Sequence, residues 1–169
     1  MPVKTPRDVF VTLLSDVRQG AERAAKVYQE IGEVAQDPQI KEALEARAFV
    51  SEKVLATLDH CFSLINEKPV KFSGRLQETF LEDFRKELAE IQSPTARRLF
   101  VLAKLSHLTH LRIGEYVALA AAADLAGHHG VALLLETCLA DKLAFVERTR
   151  HLIRHVAETK IAERAGASS

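Results

Sequence analysis

His107 and His110 stand three residues apart in SHLTHLRIGEY, residues 106–116, inside a long apolar helical pattern. At 3.6 residues per turn, histidines at that spacing project from adjacent turns on similar faces and can chelate one ion. Farther along, Glu147, His151 and His155 recur every four residues and share a face. If the last two long helices fold back on each other near residues 128 and 129, His110 comes level with Glu147 and His107 close to His151. His107, His110, Glu147 and His151 would then form a site for zinc or another divalent cation. Two features weigh against it: all four flank their apolar seams, and Arg148, Arg150 and Arg154 crowd the same stretch with positive charge. A solvated edge, where neutral histidines pair with nearby carboxylates, is the better reading. A bundle can also hold two metal ions with Glu-x-x-His pairs, but none of the 16 glutamates is followed by histidine three residues on.

The elements that position these residues are helices. Thr5-Pro6-Arg7-Asp8 reads as a helix start with Thr5 as N-cap, and Asp37-Pro38 and Ser93-Pro94 repeat the device. Apolar residues then recur four and three apart. Phe10, Leu14, Val17, Ala21, Ala24, Tyr28 and Ile31 trace a first helix over about 6–35. Ile40, Leu44, Val54, Leu58, Cys61 and Ile65 trace a second, with polar Arg47 and Ser51 in mid-seam. Leu76, Phe80, Phe84, Leu88 and Ile91 predict a shorter helix after Ser73-Gly74. A long helix follows from about Pro94 to Leu125, turned by Gly127-His128-His129-Gly130. The last begins near Val131, with a seam of Leu134, Cys138, Asp141, Phe145, Thr149, Leu152 and Val156. No stretch alternates as a strand. The chain is all-α, with residues 1–160 as one domain and 161–169 as a flexible tail.

Composition bounds the partners. The 169 residues are 47% hydrophobic and 27% charged, ordinary values for one globular domain. The formal net charge is zero, so nothing draws nucleic acid or anionic lipid. The start, MPVKTPRD, lacks an apolar signal core, and no apolar run reaches the ~18 residues of a membrane span, which reads as cytoplasmic. Cys61 and Cys138, in separate apolar patterns without C-x-x-C spacing, read as buried thiols.

TPRDVFVTLLSDVRQGAE, IKEALEARAFVSEKVLATLDHCFSLINEKP, HLRIGEY followed by DLAG, and LLLETCLADKLAF occur in this order across nearly the whole chain. So arranged, they resemble the ferritin-like stress protein family typified by YciE and YciF. The resemblance implies a ferritin-like up-down four-helix bundle, commonly a homodimer, with a short extra helix between the second and third long helices. It also implies inward carboxylates and histidines holding a di-metal centre. Carried over position by position, Glu22 and Asp141 keep acidic seats, while Arg47 and Val50 occupy helix-two ligand seats. Thr109 and Arg112 stand where the family has glutamates, His110 where it tends to have histidine, and Phe145 at a seat polar in relatives. From this vestigial seat we expect Arg47 and Arg112 to replace the ions and pair with Glu22 and Asp141 in an internal salt-bridge network. The chain then reads as a non-catalytic, stress-related bundle without cofactor, acting through dimerisation or an unidentified protein partner. The alternative is a di-iron or di-manganese protein in peroxide defence or iron handling, with an altered ligand set such as Glu22, Asp141, Glu136 and His110. A third reading is an interaction module whose dimer buries Phe72, Phe80 and Phe84 of the inserted helix.

Overall fold

Helix α1, Pro6–Ala35, begins with a reciprocal cap: the Asp8 N–H donates to Thr5 Oγ1 at 3.1 Å, and the Thr5 N–H donates to Asp8 Oδ2 at 2.9 Å. Asp37 caps α2, Pro38–Ile65, accepting the Ile40 N–H at 3.0 Å, and Asn66 ends it in the left-handed region at φ 53°. After α3, Arg75–Ala89, Ser93 caps α4, Pro94–Leu125, by accepting the Ala96 N–H at 3.4 Å. Gly127, at φ 80°, takes the turn that a side chain would strain, and α5, His129–Gly166, follows. The computed structural model describes residues 4–35, 37–71 and 75–166, with side chains as far as Lys160. The expected helix start at Ser73-Gly74, the Phe72 expected to be exposed and the last three residues of the expected tail lie outside these. The backbone of α5 continues to Gly166, beyond the point where its apolar pattern fades, and it begins two residues before the expected Val131.

The four long helices form the ferritin-like bundle that the resemblance implies, with no strand among the described residues. α1 packs mainly on α2 and α4 mainly on α5, and the two hairpins meet along α1–α4 and α2–α5. Phe10 near the start of α1 shares a cluster with Tyr116, Leu119 and Ala123 near the end of α4, whereas Ile31 lies with Val101 and Leu102. α4 is therefore antiparallel to α1 and parallel to α2, and the crossover carrying α3 returns along the bundle.

That crossover is tied down, not draped. Phe84 and Leu88 of α3 are buried among Val101, Leu102 and Leu105. The Val70 N–H donates to Ser15 Oγ at 3.0 Å, and Gln77 Nε2 donates to the Gly20 carbonyl at 3.0 Å. This corrects the expectation that Phe80 and Phe84 await a partner: Phe84 is buried, and Phe80 stacks on it with ring centroids 6.4 Å apart.

Candidate functional site

Two apolar clusters fill the bundle, and every long helix leaves one before entering the other. The gap falls between Val17 and Val27 on α1, Leu44 and Val54 on α2, Leu108 and Tyr116 on α4, and Leu139 and Phe145 on α5. Within it lie Arg47, Arg112 and Lys142, lining a cavity of about 30 Å³ together with Gly20, Tyr28, Ser51, Gln77 and Tyr116.

Each cation is held differently. Arg47 is 4% exposed, its guanidinium carbon 5.8 Å from the Tyr28 ring centroid and 5.4 Å from that of Phe145. Ring faces attract a cation but accept no conventional hydrogen bond, and Arg47 Nε and Nη1 have no hydrogen-bond partner among the described residues. Lys142, 5% exposed, places Nζ 4.2 Å from the Tyr116 ring centroid. Burial, and then the neighbouring charge of Arg47, pull the Lys142 pKa down to about 7. Arg112 donates from Nη1 to Glu115 Oε2, one turn along, at 2.6 Å. Its guanidinium rests against the bare face of Gly20, where a Cβ would lie 2.7 Å from Nη1. The Tyr116 hydroxyl is buried without a partner among the described residues, and burial raises its pKa. Burial likewise pushes the Cys61 thiol up to about 12 and raises that of Cys138, so both are the buried thiols expected from the sequence.

The vestigial seat is assembled only in part. Arg47, Thr109 and Phe145 are buried, Arg112 nearly so, and Val50 packs at the cluster edge. Glu22 instead faces outward, 58% exposed, with Arg18 Nη1 3.4 Å from Oε2. Asp141 is half-buried and forms no ion pair with either arginine among the described residues. The expected network of Arg47 and Arg112 with Glu22 and Asp141 is therefore corrected. One residue along a helix is a rotation of about 100°, enough to turn Glu22 out while Ala21 faces the cluster. The sequence reading also missed Lys142, Glu115, Gln77 and the Tyr116 hydroxyl. Lys142 had a signal: Leu135, Cys138, Lys142, Phe145 and Thr149 alternate three and four apart, as a bundle seam does.

Among the described residues, no three His, Cys, Asp or Glu side chains come together in a way that could hold a metal ion. His107, His110, Glu147 and His151 do not converge. His107 meets the Phe80 ring edge-on at 6.5 Å, His110 Nδ1 donates to the Ser106 carbonyl at 2.8 Å, Glu147 lies 3.5 Å from Arg150, and His151 is exposed. Glu22, Asp141, Glu136 and His110 likewise form no such group. Nor do the middle-layer residues fit a di-metal centre. Two divalent cations need about four carboxylates in the core, whereas this layer presents three cationic side chains and leaves Arg47 N–H bonds unpartnered. A metal ion would meet repulsion and hydrogen-bond donors instead of lone pairs.

Fold and layer together define a ferritin-like helical bundle with a cationic interior. The family model described as domain of unknown function (DUF892) matches residues 5–165, and the chain belongs to that family, the YciE/YciF-type family its motifs resemble. Its structure is similar to that of the E. coli stress protein YciF, with TM-score 0.85 and 21% identity over 92% of this chain and 98% of that one. YcfI from Rhodopseudomonas palustris is similar at TM-score 0.82 and 20% identity over 88% and 94% of the two chains. A protein from Xanthomonas campestris gives TM-score 0.68 and 19% identity over 98% and 100%. No curated protein matches the sequence significantly.

Proposed function

We propose that this chain is a non-catalytic, stress-related ferritin-like protein whose middle layer carries resident cations in place of metal, and that it acts in the cytoplasm through dimerisation or by binding a protein partner. The observation that carries this reading is the burial of Arg47, Arg112 and Lys142 between the two apolar clusters, where the di-metal ligands of such bundles belong. The stress assignment is supported by the similarity to YciF. No described helix is long and apolar enough to cross a membrane.

The test is metal analysis of protein purified without chelator, followed by anaerobic Fe(II) addition and optical spectroscopy. The expected result is no stoichiometric metal and no ferroxidase absorption. About two ions per chain, the di-metal stoichiometry, would overturn the reading in favour of an iron or manganese protein. Sedimentation velocity addresses assembly: a monomer at all concentrations removes the homodimer and leaves only the partner.

A further inference from the structure

Among the described residues, Arg47 has two buried side-chain nitrogens without a hydrogen-bond partner. In proteins its guanidinium keeps its charge, and Nε and Nη1 carry three of its five N–H donors. None of those three has a partner among the described residues. Three cations, Arg47, Arg112 and Lys142, line the cavity. Two carboxylates act on them: Glu115, engaged by Arg112, and Asp141, which acts on Lys142 from the preceding position on α5. Arg47 and Arg112 match the two carboxylates in number, and Lys142, whose pKa is drawn down to about 7, adds positive charge as the pH falls through neutral, so the layer then carries an excess of positive charge.

An occupant must therefore accept N–H bonds and bring negative charge. Water accepts hydrogen bonds but leaves the charge uncompensated, and a metal cation adds to it. The Tyr116 hydroxyl, 1% exposed and also unpartnered, lines the same cavity and can donate. At about 30 Å³ the space admits one or two water-sized occupants and no phosphate, sulfate or organic acid.

We infer that this cavity is a binding site for a small monovalent anion of halide size, held by Arg47 Nε and Nη1 and by the Tyr116 hydroxyl, with Lys142 and Arg112 supplying the surrounding positive field. The inference rests on the reading that the layer's cations take the place of metal. It inverts the polarity of a di-metal bundle: here the bundle supplies the cations and the ligand is the anion.

The test is a crystal structure of the full chain with sodium bromide replacing chloride, recorded above the bromine absorption edge. An anomalous peak between Arg47 and Tyr116 is expected. In parallel, the melting temperature should rise by several degrees with chloride or bromide but not with gluconate at equal ionic strength, since a ligand bound only by the folded state stabilises by mass action. Arg47→Met should abolish the peak and the halide-specific rise. If that variant does not fold, Tyr116→Phe, which removes one donor, should weaken the halide response. No bromine peak, or an equal halide response in whichever variant folds, overturns the anion site. A peak at the iron or manganese edge at the same place would instead overturn the metal-free reading, so the two failures are distinguishable.

Discussion

The middle layer contains two solutions to one problem, the α1–α4 side around Arg112 and the α2–α5 side around Arg47. Arg112 is compensated locally: its carboxylate stands three residues along the same helix, and a glycine on the facing helix makes room for its head. Arg47 has neither. Two rings flank it, a lysine shares its cavity, and two of its nitrogens have no partner among the described residues. The difference separates a charge that is part of the scaffold from one left available. A buried cation with its counter-ion in place contributes little net stability, but breaking such a pair from one side leaves an uncompensated charge.

The sharpest way to break the comparison is to remove the local counter-ion. Glu115→Gln should strand Arg112 in the condition Arg47 already occupies. Arg112 is 13% exposed and Glu115 23%, so the cost should fall toward the lower end of the ~3–5 kcal/mol typical of a buried pair losing one member. A thermal melt should show a drop of roughly 6–12 °C for a domain of this size. Arg47→Met strands nothing and should cost far less. Equal losses in the two variants would mean that the two arginines are compensated alike.

Titration sharpens the α2–α5 side. Lys142 has its pKa lowered from 10.5 to about 7 in the folded chain. Between those values the unfolded chain binds the extra proton, so stability rises with pH through that interval, and the full burial penalty applies below about 7. The thiols act oppositely. Cys61 is raised from 9.0 to about 12 and Cys138 is also raised, so above pH 9 the unfolded chain sheds protons that the folded chain keeps, and stability falls. The clean window is pH 7 to 9, where urea midpoints should climb, by on the order of 2 kcal/mol at most. Lys142→Met should flatten that climb, and an unchanged slope in the variant would show that another group carries it.

The sequence exposed one side of this layer better than the other. The helix starts were legible because Thr5, Asp37 and Ser93 each precede a proline and carry a side chain that caps. Arg47 and Ser51 were legible as polar interruptions of a clean apolar seam, and both are buried. Lys142 was hidden by the chemistry of its own helix. From Val131 to Leu135 every residue of α5 is apolar, so periodicity cannot choose between a seam starting at Leu134 and one starting at Leu135. The first phase puts Asp141 inside and the second Lys142, reversing the sign of the interior charge. Glu115 stands three residues from Arg112, but the resemblance places the counter-ions at distant acids. Gln77 had no signal, since its burial depends on how the crossover docks on α1.

The smallest expected effect concerns the notch that admits Arg112, and its sign is more informative than its size. Gly20 is helical and buried, and alanine at such a position ordinarily gains about 0.5–1 kcal/mol because the unfolded chain loses freedom. Here the new Cβ would lie 2.7 to 2.8 Å from three guanidinium atoms of Arg112. The head can swing away because it ends a flexible side chain, but moving weakens its bond to Glu115, so Gly20→Ala should cost about 1 kcal/mol instead of gaining. In an Arg112→Ala background the guanidinium that meets the new Cβ is gone, and the same substitution should become stabilising by ~0.5–1 kcal/mol. A double-mutant cycle read by urea denaturation tests that reversal. If Gly20→Ala gains equally in both backgrounds, the notch does not hold the Arg112 head, and the α1–α4 side loses the feature that distinguishes it from the side around Arg47.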